Sequence, residues 1–191
     1  MDSPQIALEV AAALDEQQIP YMLVGSFSSN VYGVPRSTRD ADFVIQHPGL
    51  SFKQLMLKLG SRFVGDPQLR FEGVTGTTRQ VIELADHTFK VELFRLTDDP
   101  FDQSRFARRV RRKVGAQDVW FPTAEDVVVQ KLRWWSNGAR PKDIEDAKQV
   151  ISVQGSNLNW TYIEHWCDQH ESREALDDIR RTAIFDLPES P

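Results

Sequence analysis

The sequence predicts an α+β fold, a mixed β-sheet flanked by helices and followed by a C-terminal helical region. Three observations carry that expectation. Helical and strand-like segments alternate through the first third of the chain. Short β-rich runs separated by turn residues fill the middle. After Pro122 the strand character stops, and four segments of helical composition follow. A boundary is therefore placed at residue 122, with an α/β unit over residues 1–121 and a helical unit over 122–191.

The elements follow in order from local signals. In the first segment Ser3 can cap, Pro4 suits a first helical turn, and Ile6, Val10 and Leu14 recur every four residues. Pro20 introduces "YMLVG", a short apolar strand that ends at Gly25, and "SFSSNVYG" makes one or two helical turns closed by Gly33. "ADFVIQ" reads as a second strand and "SFKQLMLKLG" as a helix with Phe52, Leu55 and Leu59 on one face. "RQVIELAD", "TFKVELFRL", "RRVRRKVG" and "VWF" are the β-rich runs. "TAEDVVVQKLRWWS" opens on Thr123 with Asp126 three residues on, a variant of the capping box. "PKDIEDAKQVIS", "WTYIEHWCDQH" and "SREALDDIRRTA" complete the helical part.

Composition excludes several classes. Of the 191 residues 40% are hydrophobic and 27% charged, a balance that supports a packed core. A net charge of −5 is wrong for a protein that coats nucleic acid through its overall field. The single cysteine, Cys167, leaves no intramolecular disulfide and no multi-cysteine metal site. The acidic start "MDSPQIALEVAAALDEQ" lacks the basic region of a signal peptide, and no apolar run approaches the ~20 residues that cross a bilayer. The expectation is a cytoplasmic protein with no membrane partner.

The chemistry concentrates in "VGSFSSNVYGVPRSTRDADFVI". Residues two apart on a strand share a face, so Asp40 and Asp42 project together. Their repulsion is relieved by a shared divalent cation, and hard oxygen donors favour Mg²⁺. Glu92 in "FKVELF" is the best third carboxylate, because an acid in an apolar run is costly to desolvate unless paired or metal-bound. Glu83 and Asp86 border a turn and are weaker candidates. The bland alternative is a strand-entry turn in which the aspartates cap backbone amides. Upstream, Gly25-Ser26 follows a strand and opens a helix, where backbone N–H groups and the helix dipole receive phosphate. A simple turn uses the same two residues, and it is the cradle and the carboxylate strand together that point to chemistry.

The order Gly25-Ser26, then "GVPRSTRDAD", then an acid on a later strand resembles the nucleotidyltransferase superfamily of the DNA polymerase beta type. Within it the likeness is to the AbiEii-like nucleotidyltransferases, a group that includes toxins of toxin–antitoxin systems. The run "GxPRxTxDxD" is met by Gly33, Pro35, Arg36, Thr38, Asp40 and Asp42. The helical half matches with Lys131, Arg140, Lys142, Asp143 and Asp146. The resemblance implies a nucleotidyltransferase fold, with residues 1–121 as the catalytic core and 122–191 closing the nucleotide cleft. It implies transfer of a nucleoside monophosphate from an NTP to a hydroxyl acceptor, either RNA such as transfer RNA or a protein. Mg²⁺ or Mn²⁺ would sit on Asp40, Asp42 and Glu92. Gly25, Ser26, Arg36, Thr38, Lys131 and Lys142 would hold the nucleotide, and Lys131 and Asp143 would join the catalytic set. A toxin role would bring an antitoxin protein as partner. A small-molecule, antibiotic-type adenylyltransferase and a non-catalytic nucleotide-binding regulator are the rival readings.

Several of these residues have ordinary uses as well. Arg36 suits a nearby aspartate as well as a phosphate. Lys131, at the margin of the stripe Val128, Leu132, Trp135, is placed to snorkel to solvent. Asp143 suits the helix dipole, and Lys142 with Asp146 has the spacing of a surface pair. Trp134 and Trp135 are expected in the helix-packing core rather than under a base, and His165 and His170 make no convincing metal site. Finally, "RFARRVRRK" places six of the 23 basic residues together: Arg105, Arg108, Arg109, Arg111, Arg112 and Lys113. It reads either as an edge strand guarded by charge or as a contact surface for RNA.

Overall fold

The computed structural model describes residues 3–46, 51–73, 76–85, 87–138 and 140–185. Two compact units result, one of Met1–Ser28 with Arg36–Pro122 and the other of Ser29–Pro35 with Thr123–Pro191.

In the first unit, α1 (Ser3–Glu16), β1 (Tyr21–Val24), the start of α2 (Gly25–Tyr32), β2 (Asp40–Ile45), α3 (Phe52–Leu59), β3 (Phe63–Glu72), β4 (Thr77–Leu84), β5 (His87–Arg95), α4 (Pro100–Ala107), β6 (Val110–Val114) and β7 (Gln117–Phe121) follow in order. Five strands form one sheet in the order β1-β2-β5-β4-β3, and β6 pairs with β7 alone. Within the large sheet β2 and β5 are parallel, while the other neighbours are antiparallel. This is the expected mixed sheet flanked by helices.

Alternation along the strands sorts side chains onto two faces. Tyr21, Leu23, Ala41, Phe43, Ile45, Ile82, Phe89, Val91 and Leu93 point to one face and form the main core. Ile6, Val10 and Leu14 of α1 and Phe52 and Leu55 of α3 belong to the same cluster. The opposite face is apolar only in part, where Met22, Val24, Val44 and Phe94 meet Phe106 of α4. The remainder of that face carries the charged residues of the site.

Two elements were not foreseen. β3 hides its strand character because it is largely exposed, contains Gly65 and Pro67, and shifts register between Asp66 and Arg70. α4 had its signal in view, since Asp99 accepts from the backbone N–H groups of Phe101 and Asp102 with Pro100 in the first turn. The basic run that follows masked it. That run is not one edge strand: Arg105 lies in the last turn of α4, Arg108 caps it, and only Val110–Val114 is β6.

The second unit contains α5 (Ala124–Gly138), α6 (Pro141–Gln154), a 3₁₀ turn (Gly155–Asn157), α7 (Trp160–Gln169) and α8 (Arg173–Phe185). Thr123 caps as expected, its hydroxyl oxygen accepting from the Asp126 N–H at 3.4 Å while the hydroxyl donates to Asp126 Oδ2 at 2.9 Å. Tyr162 of α7 donates its hydroxyl to the same carboxylate at 2.6 Å. Val128 and Leu132 of α5, Ala147, Val150 and Ile151 of α6, Ile163 and Cys167 of α7, and Leu176 and Ile179 of α8 are buried. Gly33 lies against α6 so closely that a Cβ there would come within 3.0 Å of the Val150 amide nitrogen. Trp134 and Trp135 are half-buried at the end of the α5 stripe, and His165 and His170 lie against the Trp166 ring. Among the described residues no helix is long and apolar enough to cross a membrane.

Cys167 lies fully buried, and burial raises its thiol pKa from 9.0 to about 11. The stability this protonated thiol lends is complete below pH 9.0 and is lost as pH rises toward about 11. Alkylation at mildly alkaline pH should therefore be slower by about a hundredfold in the native protein than after unfolding in urea. Native and unfolded labelling rates by mass spectrometry check this, and equal rates would refute it.

Candidate active site

The acidic end of the sheet is built by register. Asp42 lies opposite Val24 of β1 on one side and opposite Glu92 of β5 on the other. Asp40, two residues earlier, lies opposite Lys90. Residues in register on neighbouring strands share a face, so Asp40, Asp42 and Glu92 occupy the same surface. Thr38 donates its hydroxyl to Asp40 Oδ1 at 2.8 Å and orients that carboxylate.

Gly25 starts α2 directly after β1. Its φ of +64° belongs to the left-handed region, and a Cβ built there would lie 2.1 Å from Asp42 Oδ2. A glycine is therefore required twice over, for its backbone angle and for its contact with the aspartate. Ser26 is buried, and its hydroxyl accepts from Arg36 Nη2 at 2.9 Å. Ser28 donates to the Gly25 carbonyl at 2.9 Å, which tightens the turn. Gly25 thus lies against Asp42, Ser26 is bonded to Arg36, and Thr38 is bonded to Asp40.

Glu92 shares the face but has another partner. Its carboxylate takes Arg79 Nη1 at 2.8 Å, and the same nitrogen lies 3.0 Å from Glu72. Burial raises the Glu92 pKa; Arg79 opposes that rise, and the charge of Asp40 adds to it. Among the described residues no three His, Cys, Asp or Glu side chains are gathered so as to hold a metal ion. The three-carboxylate expectation is corrected to that extent: two aspartates are in place and Glu92 is engaged elsewhere. The donor set still fits a hard divalent cation, since all three groups are oxygen donors and Glu92 feels the charge of Asp40. Glu83 pairs with Lys90 at 3.0 Å in an exposed position, and Asp86 lies outside the described residues. Arg79 and Glu72 were missed in the sequence. Their only signal was alternation, which puts Arg79 on the same face as Val81 and hence as Glu92.

The helical unit holds a second charged group. Lys131 Nζ lies 3.1 Å from Asp143 and 2.7 Å from Asp146, and Arg140 Nε lies 2.6 Å from the other Asp143 oxygen. Ser29 donates to Asp146 at 3.5 Å. Lys131, Asp143 and Asp146 are all buried, and the Trp134 ring lies 5.3 Å from both cations. Lys131 therefore does not snorkel to solvent. The anticipated Lys142–Asp146 surface pair is replaced by Lys131–Asp146, and Lys142 is exposed.

The basic stretch disperses. Arg105 is buried and pairs with Asp102 at 2.9 Å, which removes it from any contact surface. Arg109 packs over Phe106 and Trp120 at 4.3 and 4.9 Å, and Arg111 also lies 4.9 Å from the Trp120 ring. Arg111, Arg112 and Lys113 on β6 are exposed.

A mixed sheet with an aspartate pair on β2, an acid in register on β5 and a glycine-serine turn between β1 and α2 defines a nucleotidyltransferase. The model of the family described as nucleotidyl transferase AbiEii toxin, Type IV TA system, matches residues 7–189, and the chain belongs to that family. A comparison with curated proteins found no match. Among solved structures, the chain is similar to the antibiotic-resistance factor ANT(2'')-Ia at TM-score 0.60 and 16% identity, over 95% of this chain and 99% of that one. An antigenic nucleotidyltransferase-like protein from Paracoccidioides brasiliensis aligns at TM-score 0.57 and 18% identity, over 94% and 93% of the two chains. JHP933 from Helicobacter pylori aligns at 0.55 and 12%, over 96% and 78%. At these identities the structures establish the fold they share.

Two substitutions probe the two groups. Gly25→Ala forces a side chain into the Asp42 carboxylate, so it should destabilise by more than the ~1–2 kcal/mol of the backbone angle alone. Lys131→Met leaves Asp143 and Asp146 buried with Arg140 as the remaining cation and should cost about 3–5 kcal/mol. Urea denaturation measures both, and a loss under about 1 kcal/mol at Lys131 would overturn the picture of a buried charge network.

Proposed function

We propose that this nucleotidyltransferase moves a nucleoside monophosphate from an NTP to a hydroxyl acceptor with the aid of Mg²⁺ or Mn²⁺. The observation that carries the reading is the placement of Gly25 against Asp42, which brings a helix-opening turn into contact with a strand bearing two carboxylates. Asp40 and Asp42 would hold the cation, and Glu92 would join them. When bound, the cation would neutralise the triphosphate and lower the pKa of the attacking hydroxyl.

The protein's own groups account for the rest. The backbone N–H groups at the start of α2 form a helix N-terminus, where terminal phosphates are favoured. Ser26 offers its hydroxyl to a phosphate oxygen, and Arg36, already bound to that hydroxyl, adds fixed positive charge beside it. Thr38 keeps Asp40 in one orientation. The acceptor oxygen forms a bond to the α-phosphorus as the bond to the bridging oxygen breaks, and pyrophosphate leaves. Catalysis is then mostly positioning and charge stabilisation.

For the acceptor, the exposed Arg111, Arg112 and Lys113 favour a polyanion such as RNA over a cationic drug. The family's description as a toxin supports a toxin role and an antitoxin partner.

The experiment is incubation with each α-labelled NTP and Mg²⁺ in cell extract, following where the label lands. Asp40→Asn and Asp42→Asn should each lower transfer by about a hundredfold or more. Transfer that persists in the double variant would refute the assigned chemistry.

A further inference from the structure

Arg79 is held in an unusual way for a structural ion pair. One nitrogen, Nη1, serves both Glu92 at 2.8 Å and Glu72 at 3.0 Å. Its Nε is buried and has no hydrogen-bond partner among the described residues. A guanidinium chosen for stability alone would use its planar fork on one carboxylate and leave no buried donor unpaired. The side chain also borders a hollow of about 270 Å³, lined among others by Asp66, Arg70, Val81 and Glu83, so it has room to turn. Glu72 offers a carboxylate on which it can stay when it turns.

We propose that Arg79 is the resident counter-cation of Glu92 and surrenders that carboxylate to a divalent cation, moving onto Glu72 as it does so. The inference rests on the metal reading above and adds to it a reason why Glu92 stands apart from Asp40 and Asp42. Without a metal, Glu92 is a partly buried carboxylate on the same face as two others, and a fixed positive charge is the cheapest way to keep it there. With a metal, the carboxylate exchanges one cation for another. Arg79 loses one contact and keeps its second, so the exchange costs little and is reversible. Arg79 and the metal therefore compete for a single ligand, and the metal affinity of the protein without nucleotide is set below what three carboxylates would give.

The test is Mn²⁺ binding to the full chain without nucleotide at neutral pH, with free Mn²⁺ read by electron paramagnetic resonance. Arg79→Met should bind Mn²⁺ about tenfold more tightly than the natural protein, since one charge-assisted hydrogen bond no longer opposes it. A general field effect of the lost charge would also tighten binding, so the comparison is repeated with Glu92→Gln. If Arg79 acts by occupying Glu92, the Arg79→Met gain disappears in the Glu92→Gln background. A gain that persists there assigns the effect to long-range charge and overturns the proposal. Unchanged or weaker binding in Arg79→Met overturns it too, while leaving the metal reading intact. Absence of Mn²⁺ binding in the natural protein and in Arg79→Met defeats the metal reading itself and this inference with it. Circular dichroism confirms that each variant is folded, and Arg79→Gln replaces Arg79→Met if the latter does not fold.

Discussion

Like-charge crowding on one face of the sheet is the constraint around which the first unit is arranged. Parallel pairing of β2 with β5 sets Asp42 beside Glu92, and the two-residue repeat of β2 adds Asp40. Like charges placed together repel, and burial together with the charge of Asp40 raises the pKa of Glu92. Its surroundings are compensations: a hydroxyl from Thr38, a bare backbone at Gly25 and the guanidinium of Arg79. The opposite face of the same strands carries the main apolar core, so the sheet is anchored by one side and carries charge on the other.

The helical unit solves a related problem differently. Its acids are fully buried, yet two cations are buried with them or at their edge, so the group is balanced within itself. Balance of this kind gives fixed geometry rather than much net stability, since desolvation offsets most of the attraction. In the helical unit Lys131 supplies the positive charge to both Asp143 and Asp146.

How much of this was legible in the sequence follows from the range of each signal. The aspartate pair, the glycine-serine turn and Thr38 lie close together in the chain, and strand alternation is enough to place them. Glu92 was found because an acid in "FKVELF" contradicts its neighbours. Arg79 and Glu72 were not, because their meaning comes only from strand pairing across β4 and the edge, and nothing local distinguishes them from surface charges. Lys131 was misplaced for a similar reason. Its position on the margin of a helical stripe is compatible with solvent, and only the packing of α6 against α5 takes it inside. Arg105 reads as a surface residue in the sequence because a run of basic residues hides the change from helix to strand within it.

The outer strand β3 has a bearing on how the protein behaves in a crowded solution. It ends the sheet, so among the described residues one row of its backbone groups has no neighbouring strand. Pro67 withholds one amide hydrogen, the register breaks between Asp66 and Arg70, and those two side chains form an ion pair across the break at 2.7 Å. A second molecule trying to extend the sheet would find an interrupted, charged margin in place of a continuous template. The irregularity that concealed this strand from sequence patterning is thus also a guard against intermolecular strand addition, and smoothing it would favour self-association.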